Sequence, residues 1–291
     1  MKMDRRTNSD KSMLAVITVI MVIVSFAFLY PLWTTVVQSF SSSRTADSIG
    51  FKFWPKEWSL AAYNYVFGKN QIWSAYKNTI IRTVATTSMH VMLTYFGAYG
   101  LSRRGMPFKN LITFLIVFTM FFGGGLIPGY LLIKNLGLIG SRWALILPGL
   151  TSAWNLVIAR NFVQSLPYEL EESAAIDGAH PLRIIFQILL PLSKPILAVL
   201  ALWVAVGQWN AYFDAMLYTN SPEMKPLALL VREMVVEAQG MNENSLMVDA
   251  NVASSSVRAA TIVVSLGPIL LVFPFLQKYF VKGVMVGALK G

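Results

Sequence analysis

Residues Glu171–Pro195 read EESAAIDGAHPLRIIFQILLPLSKP, a polar, turn-containing segment held between two long apolar runs. Gly178 follows Glu172 by six positions, Ile188 follows Gly178 by ten, and Pro191 follows Ile188 by three. Glu169, Leu170, Glu171, Glu172, Ala174, Ala175 and Ile176 suit a short helix that begins at Pro167-Tyr168. Acidic residues in its first turns favour the positive end of the helix dipole. Asp177-Gly178 then supplies a turn, because glycine tolerates the positive φ that ends a helix. His180-Pro181 opens a second helix, and Pro191 and Pro195 bound its far end. The product is a helix–turn–helix elbow. Its small Ala174 and Ala175 permit close approach by another surface, and Glu171 and Glu172 offer charge to basic groups there.

The flanking composition says where such an elbow lives. The chain has 291 residues, 55% hydrophobic and only 13% charged, against roughly 25% charged in soluble domains. It reads as an all-α, polytopic membrane protein. With no cysteine, disulfides and Cys-based metal or redox sites are excluded. His90 and His180 are too few and too far apart to suggest a metal centre, so no metal site is expected. The net charge is +10. Basic loops facing the cytoplasm and anionic lipid explain it without nucleic acid, and an anionic cargo is the alternative. Met1–Lys11 is basic and Ser12–Tyr30 apolar, as in a signal peptide, but the apolar run continues past Pro31 to Val37. Signal cores are about 7–15 residues. An uncleaved first transmembrane helix is expected.

A hydrocarbon core of about 30 Å needs about 20 apolar residues in a helix. Six segments qualify, at about 13–38, 74–101, 110–133, 142–164, 193–218 and 257–281. The second is interrupted by Arg82, His90 and several threonines. The third carries Gly123-Gly124-Gly125 and Pro128, which predict a break or kink near its outer end. Six spans put both termini on one side, together with Arg103, Arg104, Lys109, Arg160, Arg183 and Lys194. The positive-inside rule makes that side cytoplasmic. The expected division is a cytoplasmic N-terminus at 1–12, a six-span domain at 13–283 and a cytoplasmic tail at 284–291. External segments fall at about 41–73 and 219–256, and the cytoplasmic elbow at about 165–192. Trp54, Trp58, Tyr63 and Tyr65 suit interfacial anchoring. In the second external segment, Leu227, Leu230, Val231, Met234 and Val235 follow helical spacing, from Pro226 to Gly240, with a loop at 242–256.

Charged groups inside spans are expensive and face a cavity or a partner. Asp214 lies in the fifth span, with Asn210 four residues earlier on what a continuous helix makes the same face. It suits contact with a transported solute or gating, or else a helix–helix hydrogen bond. Trp154, Asn155 and Trp209 carry the same two readings. Arg160 suits an anchor at the cytoplasmic end. Arg82 lines a path or snorkels. His90 suits a hydrogen bond between helices.

The Glu171–Pro195 segment resembles the EAA loop of binding-protein-dependent ABC importer permeases, with Ser173 where the first alanine usually stands. Trp54-Pro55-Lys56-Glu57-Trp58-Ser59-Leu60, Trp209-Asn210 and the ending Gln277–Gly283 and Gly287–Gly291 resemble the carbohydrate type. Phe122–Pro128 is similar to a subgroup associated with complex oligosaccharides, including those from pectin and alginate. The resemblance implies the type I importer fold. It implies a second homologous permease, two ATPase subunits using ATP and Mg, an external solute-binding protein and an oligosaccharide cargo, moved by alternating access in the cell membrane. It implies that the first helix of the elbow is a coupling helix seated in the ATPase. Glu171, Glu172, Ala174, Ala175, Asp177, Gly178, Ile188 and Pro191 form the elbow, and Lys290 and Gly291 touch the ATPase from the tail. The glycine run lacks the Gly-Lys-Ser/Thr that grips phosphate. The chain itself is therefore expected to be no enzyme and to hold no cofactor. The rival is an ion-gradient-driven secondary transporter, which calls for several intramembrane carboxylates and an internal repeat.

Overall fold

The structure is a computed structural model, and it describes residues 8–48, 50–103, 105–240, 255–268 and 270–271. The chain divides into two compact units, residues 1–69 with 233–266 and residues 70–232 with 267–291.

The first unit is led by α1 (Asn8–Ser39), which runs unbroken through Pro31. Apolar residues are exposed on every side of it, including the consecutive Val19, Ile20, Met21 and Val22. A helix that is apolar all round needs a hydrocarbon surrounding. A short α2 (Ala61–Gly68) buries Ala62 and Val66. The connection between them is closed by an antiparallel bridge of Ser41 with Trp58. Trp33 Nε1 donates to the Phe53 carbonyl at 2.9 Å, and Trp54 lies 6.0 Å from both Trp33 and Trp58. Trp54 and Trp58, two of the four aromatics expected at the interface, thus sit together with Trp33. Residues 255–268 are helical, and Ser256 Oγ donates to the Ser41 carbonyl at 3.0 Å. Most of the expected loop at 242–256 lies outside the described residues, and its last two positions are already helix.

The second unit is built around α3 (Asn70–Ser102), 33 residues and about 50 Å long. Lys109 Nζ closes its end by donating to the Ser102 and Arg103 carbonyls, each at 3.2 Å. Then come α4 (Lys109–Phe121) and α5 (Leu126–Asn135), bent by 111° at the glycine run where the sequence predicts a break. Gly125, at φ 85°, takes the backbone through a conformation that side chains disfavour. The fourth segment is split into α6 (Trp143–Ile146), a 3-10 turn at Leu147–Gly149 and α7 (Ala153–Gln164). The elbow follows as α8 (Glu169–Ile176) and α9 (Pro181–Leu192). A 75° bend leads into α10 (Lys194–Asn210), and α11 (Phe213–Tyr218) comes after a break. The amphipathic α12 (Leu227–Gly240), whose residues to Arg232 belong to this unit and the rest to the first, starts one residue after Pro226 and ends at Gly240 as read from the sequence.

Lipid is as apolar as leucine, so close packing rather than water exclusion holds helices together in a bilayer. The core accordingly uses small residues where elements cross. Ala98, Ala159 and Ala174 pack with Tyr95, Ile185, Leu189 and Leu200. A Cβ added at Gly97 would meet Leu156 Cδ1 at 3.1 Å.

Among the described residues one helix, Lys11–Ser39, is long and apolar enough to cross a membrane by itself, or up to three segments if the bent pairs 109–135 and 181–210 each count as one. The physical reason for the difference from six is visible. Polar residues recur along α3, the fourth segment is broken, and the sixth lies partly outside the described residues, at 269 and from 272 on.

Candidate functional site

The elbow closes by its own local hydrogen bonds. Gly178, at φ 76°, donates to the Ala175 carbonyl at 3.0 Å, and Ala179 N donates to the Ala174 carbonyl at 2.9 Å. These are the paired bonds of a glycine-terminated helix. His180 then caps the second helix, its Nδ1 accepting from Leu182 N at 3.3 Å, with Pro181 at the first helical position. Residues Ile184–Leu189 widen into a π turn just before Pro191, which has no N–H to continue the regular ladder. Ile188 is half-buried beside the core, and Pro191 is exposed.

The faces of α8 are unequal. Glu172, Ser173, Ala175, Ile176, Asp177 and Gly178 are exposed, Ile176 at 81%. Ala174 is buried in the chain's own core. Glu171 is paired with Arg103 at the end of α3, and the Arg103 guanidinium lies 4.8 Å over the Tyr99 ring. Glu171 and Ala174 therefore face inward, whereas Glu172 and Ala175 stay exposed. At 3.6 residues per turn, residues three apart share a face and neighbours do not. Arg103, which ties the elbow to α3, was not singled out from the sequence as a partner of Glu171.

A second constellation is assembled by α3. Asn78, Arg82, Thr86, His90 and Thr94 recur every fourth residue, and all are buried. Arg82, 4% exposed, reaches across a break between α10 and α11. Its Nε donates to Gln208 Oε1 at 2.8 Å, its Nη1 to the Ala211 carbonyl at 3.3 Å and to Asp214 Oδ1 at 3.1 Å, and its Nη2 pairs with Asp214 Oδ2. Asp214 Oδ1 also accepts from Ala215 N at 2.9 Å. His90 does the same at the other break. Its Nδ1 donates to the Gly149 carbonyl at 2.8 Å, which leaves Nε2 to accept from Asn155 Nδ2 at 2.9 Å. Gly149 is held close: a Cβ there would come within 2.6 Å of Gln208 Nε2 and 2.9 Å of Thr86 Cγ2.

These contacts place the residues singled out from the sequence. Arg82 is satisfied inside the protein by a carboxylate, an amide and a carbonyl. Asn210 and Asp214 do not share a helical face, because the helix stops at Asn210 and resumes at Phe213. Asn210 is exposed and donates to the Val206 carbonyl at 2.9 Å. Trp209 is half-buried and Trp154 is exposed. Asn155 is buried against His90, whose role as a helix–helix hydrogen-bonding residue matches its sequence reading. Lys290 and Gly291 lie outside the described residues. Among the described residues no cluster of His, Asp and Glu could hold a metal ion.

The model of the binding-protein-dependent transport system inner membrane component family matches residues 3–286. The chain belongs to this family. The permease is 41% identical over 263 residues to the polygalacturonan/rhamnogalacturonan transport system permease protein YtcP of Bacillus subtilis (strain 168), covering 90% of this chain and 92% of YtcP. It is 40% identical over 262 residues to the protein LplC of the same organism, covering 90% and 89%. Among solved structures it is similar to a chain in the crystal structure of a bacterial ABC transporter involved in the import of the acidic polysaccharide alginate. The TM-score is 0.88 at 31% identity, over 95% of this chain and 99% of that one. The chain is thus the membrane-embedded, non-enzymatic permease of an ATP-driven importer, and it has the type I permease fold. Family membership decides against the ion-gradient-driven transporter.

Proposed function

We propose that this permease carries acidic oligosaccharides of the pectin or alginate kind across the cell membrane, driven by a separate ATPase. Relatives named for polygalacturonan, rhamnogalacturonan and alginate support an acidic cargo, and the net charge of +10 agrees with it. The permease works with a second homologous permease, two ATPase subunits that use ATP and Mg, and an external binding protein. Six spans with both termini in the cytoplasm place the elbow where the ATPase is. Closure of the ATPase pair moves the elbow and opens the permeases outward to receive cargo, and hydrolysis resets them.

The observation that carries the coupling role is the outer face of α8. It presents Glu172, with Glu169 one turn earlier, beside small Ala175 and exposed Ile176, while Gly178 turns the chain away. An exposed apolar side chain next to an unburied charge suits a cleft with a basic rim. Asp177 shares that exposed end, Ile188 and Pro191 hold the second helix, and Lys290 and Gly291 reach the ATPase from the tail. In the cargo path the exposed Trp154 and Asn210 and half-buried Trp209 meet the sugar, and Arg82, Asn155 and Asp214 stand behind them.

The test is Glu172→Lys in the assembled complex. Uptake and cargo-stimulated ATP hydrolysis are expected to fall together while assembly in the membrane is retained. Unchanged uptake would overturn the coupling role. Competition between acidic and neutral oligosaccharides for uptake by the parent complex tests the cargo, and preference for the neutral sugar would overturn that part.

A further inference from the structure

We propose that Arg82 is a positioning residue for transport, which holds the break between α10 and α11 in the shape that meets the cargo. The proposal rests on the importer reading above, and its own support is geometric.

Three observations carry it. First, Arg82 bonds both sides of the break and the break itself: Gln208 before it, the Ala211 carbonyl within it and Asp214 after it. An ion pair that only neutralised a buried charge would need no contact with the freed carbonyl. Second, the clamp is repeated. Two turns further along α3, about 12 Å away, His90 bonds Gly149 before the other break and Asn155 after it. One helix therefore fixes both interruptions from one face. Third, each clamped break displays exposed aromatic and polar side chains. Asn210, Tyr212 and Phe213 surround the first, and Trp154 follows the second. In a bilayer, irregular backbone is tolerated only where protein or a water-filled cavity satisfies it. Unwound segments of this kind present backbone groups and side chains to a transported solute.

Arg82 is suited to this by shape as much as by charge. Its planar fork reaches three acceptors at fixed angles, and the point charge of a lysine cannot. Arg82→Lys therefore separates the two roles, because it keeps the charge opposite Asp214 and loses the fork.

The experiment uses the fact that the chain has no cysteine. Cysteine is placed singly at Tyr212 and, as a reference, at Trp154. Each reporter is made with Arg82 and with Arg82→Lys, in the full complex in proteoliposomes. Readouts are the rate of labelling by a water-soluble maleimide and the KM and maximal rate of oligosaccharide uptake, the latter without the reporters. Arg82→Lys is expected to assemble, to change labelling at position 212 several-fold while leaving position 154 as before, and to raise KM about tenfold, the loss of a charged hydrogen bond. Wild-type labelling at 212, or altered labelling with unchanged KM, would overturn the proposal and leave Arg82 a structural ion-pair partner. Should Arg82→Lys fail to assemble, Gln208→Leu removes one arm of the clamp without touching the charge, and the same two readouts decide. Should the wild-type complex take up no oligosaccharide, the cargo reading fails, while the labelling comparison still tests the clamp.

Discussion

The elbow and the two clamped breaks are both interruptions of helix, and they are closed in opposite ways. At the elbow every closing bond is local: Gly178 and Ala179 return to carbonyls three and five residues back, and His180 caps the residue two ahead. At the breaks the closing groups come from far along the chain. Arg82 and Asp214 are 132 residues apart, and His90 and Asn155 are 65 apart. A locally closed turn can move as a piece and present one face to a partner. A remotely closed break exists only when α3 is in place, so its shape depends on the whole bundle.

The largest effect should come from unbalancing the remote clamp. Asp214→Ala leaves the buried Arg82 guanidinium without its counter-charge; breaking a fully buried pair costs about 3–5 kcal/mol, and with Asp214 33% exposed the loss falls toward the lower end. The amount of monodisperse protein in detergent should drop sharply, and Arg82→Gln combined with Asp214→Asn should recover much of it. His90→Ala should be milder, because it leaves the Gly149 carbonyl and the Asn155 amide unpaired at about 1–3 kcal/mol. A lower melting temperature of the purified permease would register it, and an unchanged one would mean that the second break needs no clamp. Gly178→Ala has free space for its Cβ but must hold a positive φ, at about 1–2 kcal/mol. Its effect should appear as faster proteolysis at the elbow with the bundle intact, and loss of the whole fold would contradict local closure. Glu172→Gln should change stability least, within about 0.5 kcal/mol for an exposed site, and yet reduce cargo-stimulated ATP hydrolysis. If it melts the protein, Glu172 is not a free surface group.

The same contrast explains what could be read from the chain alone. The elbow was legible because its turn chemistry sits in consecutive residues: acids, Asp-Gly, then His-Pro. The kink at the glycine run was legible for the same reason. Treating Glu171 and Glu172 as equivalent overlooked helical period, which turns them to different faces and hands Glu171 to Arg103. The joint reading of Asn210 and Asp214 failed because nothing in WNAYFDAML announces a stop at Ala211: no glycine or proline marks it. One signal was available and went unused. The repeat of Asn78, Arg82, Thr86, His90 and Thr94 at every fourth position draws a polar seam on one face of α3. Such a seam has to find partners on neighbouring helices.

Composition, apolar runs and local turn residues determined that this is an all-helical membrane protein with a polar helix–turn–helix elbow, because those properties depend on neighbours in sequence. The tertiary structure decided where the fifth segment breaks, which elbow carboxylate is free and which residues close the breaks. Those depend on which polar groups meet when helices pack, and in a medium without water a buried charge or freed backbone group is costly unless the fold brings a partner beside it.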